Sequence, residues 1–218
     1  MDNDSSVSSR RISADQRRLL ILKAAEELFF EKGYEATSLN NILDKIGGSK
    51  RNFYTEFGGK AGLFKELVAK HAIRSLAALP TTRKEGQSFR ESLMEFGNAG
   101  IRLFQDKESI KLFRIAVMDG THFPELINMF ARSGPVATID RLTHLLEIAV
   151  ERQELPASTN CRIAATHFVA MLHGGKFTEV ALNSRCAPPD EDMEKFVASV
   201  VDLFLFGVLG DKKMPDHP

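Results

Sequence analysis

The chain of 218 residues contains no tryptophan, two tyrosines and two cysteines. Cys161 and Cys186 cannot frame a disulfide scaffold, so the fold has to rest on its core, which a 43% hydrophobic composition can supply. No apolar run reaches the roughly 20 residues of a membrane-spanning helix, and the N-terminus lacks the cationic, apolar, small-residue order of a secretion signal. These absences predict a cytoplasmic protein with no membrane partner. Net charge is missing as well, since 29 Lys and Arg balance 29 Asp and Glu. The balance conceals an asymmetry: residues 1–75 carry 13 basic against 10 acidic side chains, residues 76–218 carry 16 against 19. The basic share is N-terminal.

The signatures of common enzymes are absent too. Gly59-Lys60 and Gly174-Gly175-Lys176 suggest phosphate loops, but a P-loop needs a glycine five residues before its Gly-Lys pair and Ser or Thr after it. Tyr54 and Ala61 occupy those positions around the first pair, and Ala170 and Phe177 around the second. No GxSxG, HExxH or dinucleotide glycine pattern occurs. His167 and His173 stand six apart, about 240° around a helix, so they cannot share a metal as an i, i+4 pair does. No catalytic residue, cofactor or metal is expected.

What is present is helical periodicity. Ser13-Ala14-Asp15-Gln16 reads as a capping box, followed by a stripe of Ile21, Ala24, Ala25, Leu28 and Phe29 and a stop at Gly33. A second short helix places Leu39, Ile42, Leu43 and Ile46 on one side and stops at Gly47. Ser49 can cap a third helix to Glu56, and Gly58-Gly59 separates it from a longer helix, 59–79, bearing Leu63, Phe64, Leu67, Val68 and Ala72. Further helices are expected near 86–105, 107–119, 123–133, 136–153, 159–183 and 190–209, with breaks at Pro124, Gly134-Pro135, Pro156 and Pro188-Pro189. The expected class is all-α. The expected organisation is a disordered arm 1–12, a helix-turn-helix domain 13–58, a connecting helix 59–79, a larger helical domain 80–210 and a disordered tail 211–218.

A helix-turn-helix lays its second helix in the major groove, with side chains near that helix's N-terminus meeting base edges. Lys50, Arg51 and Asn52 occupy that place. Arg pairs bidentately with guanine and Asn with adenine, while Lys serves base or phosphate. Tyr54, Ser49, Thr37 and Ser38 carry hydroxyls suited to phosphates, the last two at the start of the second helix. Phe53 and Phe57 read as core anchors, since duplex binders meet base edges rather than faces. Arg10 and Arg11 are open between a minor-groove arm and an unbound tail.

These residues together resemble the TetR/AcrR family of bacterial transcriptional regulators. The likeness runs through Ile21, Leu22, Ala24, Ala25, Leu28, Phe29, Gly33 and Tyr34, then Ser38, Leu39 and Ile42, Gly47, Ser49, Lys50, Arg51, Phe53, Tyr54 and Phe57, and Gly59, Lys60, Leu63 and Phe64. The chain departs from the family pattern at Leu43, Ile46, Gly48 and Ala61. The resemblance implies that Lys60, opening the fourth helix, touches the DNA backbone. It also implies a C-terminal ligand-binding and dimerisation domain, and a homodimeric regulator, expected to be a repressor, on a palindromic operator.

In the C-terminal half, helix 159–183 carries small residues and helix 190–209 is apolar nearly all round, which suits half of a four-helix dimer interface. Ala165, Gly174, Phe196, Val200 and Phe204 are the candidate interface residues. Burial within one subunit is the alternative. Phe104, Phe113, Met118, His122, Phe123, Met129, Phe130, His144, Phe168, Met171, His173 and Phe177 form a Phe, Met and His set able to line a pocket for a small apolar or aromatic effector. Cys186 is open between a thiol sensor and an inert cysteine. Two other classes stay open at this point: an all-helical enzyme, and a helical adaptor that binds protein rather than DNA.

Overall fold

A computed structural model describes the backbone of residues 13–47, 49–181 and 190–209, and their side chains except at 104, 175–181, 190, 191 and 207–209. The expected terminal arms, with Arg10 and Arg11, lie outside the described residues, as do Gly48 and Cys186. Every regular element among the described residues is helical. The helices are α1 (Ala14–Lys32), α2 (Leu39–Ile46), α3 (Lys50–Phe57), α4 (Lys60–Ala77), α5 (Phe89–Gln105), α6 (Lys107–Asp119), α7 (Pro124–Ala131), α8 (Ala137–Glu151), α9 (Cys161–Ala181) and α10 (Asp190–Leu209). The chain divides into two compact units, Met1–Leu67 and Val68–Pro218. That division falls inside α4 rather than before it.

In the first unit, local chemistry sets the helix ends. Ser13 and Gln16 close a reciprocal capping box on α1, and Ser38 with Asn41 closes another on α2. The N–H of Gly47 donates to the Leu43 carbonyl with φ at 73°, and the N–H of Gly58 donates to Tyr54 with φ at 68°. Only glycine adopts that left-handed region without strain, which lets α2 and α3 each end in a tight turn. The core gathers Ile21, Ala25, Leu28 and Phe29 from α1, Ile42 from α2, Phe53 and Phe57 from α3, and Leu63, Phe64 and Leu67 from α4.

The second unit is built on Leu93 and Phe96 of α5, Leu142, Leu145, Leu146 and Ala149 of α8, Ala165, Phe168 and Leu172 of α9, and Val197, Val201 and Phe204 of α10. A Cβ at Gly97 would meet Val197 Cγ1 at 2.6 Å, so glycine there permits α5 and α10 to approach. The break expected at Gly134-Pro135 does not occur. Residues Arg132–Val136 form a π-helical turn that carries α7 into α8 with Pro135 inside it. Proline's ring collides with the carbonyl four residues back in an α-helix, and the wider π turn relieves that conflict. α9, in contrast, is broken at Gly174, where φ is 14° and ψ 177°.

Candidate nucleic-acid interface and effector cavity

On α3, Phe53 and Phe57 point inward with 2% and 6% of their surface exposed and ring centroids 5.2 Å apart. Their burial fixes the helix about its axis. Lys50, Arg51, Asn52 and Tyr54 are left exposed. Ser49 caps the helix by accepting from the Asn52 N–H at 3.2 Å, so the N-terminus that carries the candidate base readers is formed rather than frayed. Arg18 of α1 braces the other end: its guanidinium pairs with Glu56 of α3 and Glu66 of α4 and lies 4.6 Å from the centroid of Phe57. The sequence pattern does not reveal Arg18, because a charge network between helices leaves no local signature.

Two of the expected phosphate contacts are placed differently. Thr37 is wholly buried, and its hydroxyl points to the carbonyls of Gly33 at 2.7 Å and Leu28 at 3.2 Å, so it supports the loop between α1 and α2 from within. Lys60 is half-buried, with its Nζ 2.8 Å from the Tyr34 carbonyl and 2.9 Å from that of Thr37. Ser38 is exposed, with Oγ in the α2 capping box.

The second unit holds a cavity of about 360 Å³, at the smaller end of the range for small-molecule sites. Val68, His71, Ala72, Ser75 and Leu76 form one wall, all from α4 at helical spacing. Leu103, Ser109, Leu112 and Phe113 come from α5 and α6, Phe130 and the π turn close another side, and Thr138 and His173 complete the lining. Phe113 and Phe130 form a tilted aromatic pair with centroids 5.8 Å apart. Burial pulls the His173 imidazole down to about 4, which leaves the ring neutral near neutral pH. His71 is buried, its Nδ1 3.3 Å from a carboxylate oxygen of Glu108. None of the described lining residues is Lys, Arg, Asp or Glu.

Of the expected pocket residues, Phe113 and His173 line this cavity, together with Phe130 of the wider set. Met118, 76% exposed, and His122 and His144 face solvent instead. Phe123 is half-buried at the start of α7 and Met129 half-buried within it. Phe168 is spent in the core, and Met171 borders an open groove with Ile163, His167, Ala170 and Leu203. The side chains of Phe104 and Phe177 lie outside the described residues. The α4 wall was missed, although its spacing of 68, 71, 72, 75 and 76 is an amphipathic stripe.

Three of the five expected interface residues turn inward, while Phe196 is half-buried and Gly174 is exposed. Ala165, Val200 and Phe204 are buried in the unit's own core, Phe196 packs partly against it, and Gly174 has its nearest outside neighbour in Phe196 Cζ at 3.9 Å from an ideal Cβ. Among the described residues of the same helices, the large apolar side chains left exposed are Ile163 on α9 and Leu203 and Phe206 on α10.

A capped, exposed α3 set after α2 defines a helix-turn-helix, and a helical unit with an apolar cavity follows it. The family model for bacterial regulatory proteins of the tetR family matches residues 21–67, and that for the C-terminal domain of AefR-like transcriptional repressors matches residues 91–206, more than half of the chain. The chain belongs to the TetR family of bacterial transcriptional regulators. YezE of Bacillus subtilis, an uncharacterised HTH-type transcriptional regulator, is 30% identical over 116 residues, covering 52% of this chain and 60% of YezE. The HTH-type transcriptional activator FasR of Mycolicibacterium smegmatis is 32% identical over 90 residues, 39% of this chain and 41% of FasR. The chain thus aligns with less than two thirds of either relative's length. Among solved structures, the Flavonoid-responsive Regulator FrrA has a TM-score of 0.80 at 27% identity, covering 89% of this chain and 97% of FrrA. No described helix is long and apolar enough to cross a membrane.

Proposed function

We propose that the chain acts as a homodimeric repressor on a palindromic operator and leaves it when an uncharged apolar or aromatic molecule fills the cavity. The observation that carries this reading is the cavity wall on α4. The helix that opens with Lys60 beside the DNA-reading elements supplies Val68, His71, Ala72, Ser75 and Leu76 to the cavity. Two reading helices must stand about 34–36 Å apart to enter successive major grooves, so an occupant that shifts α4 changes the quantity on which operator binding depends. It does so only through preferring one spacing over the other, with a coupling of about 1–3 kcal/mol, or roughly 5- to 150-fold in affinity.

The effector class follows from the lining. A carboxylate or ammonium entering this wall would lose its hydration with no described charge to receive it. A phenol or ketone would lose less, since His71, His173 and four hydroxyl residues offer hydrogen bonds. That the similar regulator FrrA is flavonoid-responsive agrees with an aromatic, oxygen-bearing ligand. The exposed Ile163, Leu203 and Phe206 supply an apolar face for the partner subunit, and two-fold pairing through it matches a palindrome.

The test is a titration of 2-naphthol and of 2-naphthoate into the complex with DNA flanking the gene, read by fluorescence anisotropy. Release by the neutral naphthol and not by the naphthoate is expected. Release by the carboxylate alone overturns the effector class, and indifference to a compound shown to occupy the cavity overturns the coupling.

A further inference from the structure

Lys60 opens α4, and its side chain turns back over the loop that joins α1 to α2. Its Nζ lies 2.8 Å from the carbonyl oxygen of Tyr34, 2.9 Å from that of Thr37 and 3.4 Å from that of Glu35. It also stands 4.3 Å from the centroid of the Tyr34 ring. An ammonium has three N–H groups, and three carbonyls meet them. A phosphate reaching Lys60 would have to displace one of these bonds.

The loop so held is also fixed from below. The Tyr34 ring is 3% exposed, stacked on Phe29 at 5.5 Å and edge-on to Phe64 at 5.4 Å. The Thr37 hydroxyl ties the loop to Gly33 and Leu28. Ser38, the N-cap of α2, comes next in the chain, so the loop's carbonyl side sets where α2 begins. Converging carbonyls pulled from water need donors from one point. A lysine on its flexible stem provides them, whereas the planar fork of arginine spreads its donors in one plane.

We propose that Lys60 is a positioning residue: its ammonium fastens the turn between α1 and α2 to the first turn of α4, and so sets the pose of the reading helix, rather than binding phosphate. The reading rests on the helix-turn-helix assignment. Its consequence is that α4 and the start of α2 move together, which gives any displacement of α4 a direct purchase on the DNA-reading pair.

The experiment compares the full-length protein with Lys60→Gln and Lys60→Arg on operator and on random-sequence duplex across a salt series. Loss of a phosphate contact lowers the slope of log K against log salt by about 0.9 on both DNAs, and arginine restores it. Loss of a positioning contact leaves that slope unchanged, reduces operator affinity at least tenfold while sparing random duplex, and is not rescued by arginine. A merely structural role would leave the operator-to-random ratio of the folded fraction intact. To keep the test independent of whether Lys60→Gln folds, the ¹⁵Nζ signal of Lys60 is also followed in the wild-type protein. A hydrogen-bonded ammonium signal present without DNA and unmoved by operator supports the proposal. A signal that emerges or shifts only with DNA overturns it, as does a reduced slope. Absence of DNA binding by the wild type would sink the helix-turn-helix assignment, whereas the free-protein signal still decides whether the ammonium holds the loop.

Discussion

The ring of Phe204 on α10 stands edge-on to that of Phe168 on α9, centroids 5.1 Å apart and planes at 79°, with both side chains buried. Phe204 therefore belongs to the subunit's own core, and its neighbours Leu203 and Phe206, 64% and 79% exposed, face outward. The distinction decides how association must be probed. Phe204→Asp puts an unpaired charge into the core and should destabilise the fold by several kcal/mol, at least the roughly 3–5 kcal/mol of a Phe→Ala truncation. Leu203→Asp with Phe206→Asp should leave the melting temperature close to wild type and convert a dimer to monomers. Analytical ultracentrifugation alongside thermal melts checks both, and a folded, dimeric Leu203→Asp/Phe206→Asp protein would remove this face as the interface.

The cavity makes a separate prediction. Phe113→Ala removes one ring of the Phe113–Phe130 pair and enlarges the site. Affinity for 2-naphthol should fall by about 1–3 kcal/mol, the worth of lost apolar contact in a pocket, with operator affinity in its absence unchanged. Calorimetry measures the first and anisotropy the second.

His173 predicts a pH dependence. Its folded-state value of about 4 lies below its ordinary 6.5, because burial penalises the charged ring. The unfolded chain therefore binds the proton first. The contribution to stability is complete above about 6.5 and is lost progressively as pH falls towards 4, at no more than about 1.4 kcal/mol per pH unit. His173→Gln should flatten the wild-type decline over that window in urea denaturation. Parallel curves for the two proteins would show that His173 is not buried in its neutral form.

The caps and stripes that define the DNA module are local, and for that reason were legible from the chain: Ser13 with Gln16, Gly33, Gly47, Ser49 and the Phe53–Phe57 pair each declare themselves within a few residues. What was illegible depends on distance in the sequence. Thr37 follows a turn and precedes a cap, as a phosphate-binding threonine would, and its contacts with Gly33 and with Leu28, nine residues back, turn it inward. Arg18 meets Glu56 and Glu66 across 38 and 48 residues. Periodicity likewise shows that α10 is apolar on several faces without saying which meets its own core, so Phe204, expected at an interface, lies buried while Phe206 is exposed. Pro135 reads as a break because proline ends α-helices, and the π turn that absorbs it has no sequence signature.

Everything proposed for the DNA module turns on α3 reading bases through Arg51 and Asn52, which the burial of Phe53 and Phe57 leaves exposed. The most direct measurement is the affinity of wild type, Arg51→Ala and Asn52→Ala for the DNA flanking the gene and for a random duplex at one moderate salt concentration. Nanomolar binding by the wild type is expected, with each substitution costing about 1–3 kcal/mol on the flanking DNA and little on the random duplex. Equal losses on both DNAs, or wild-type binding no tighter to the flanking sequence than to random DNA, would contradict it.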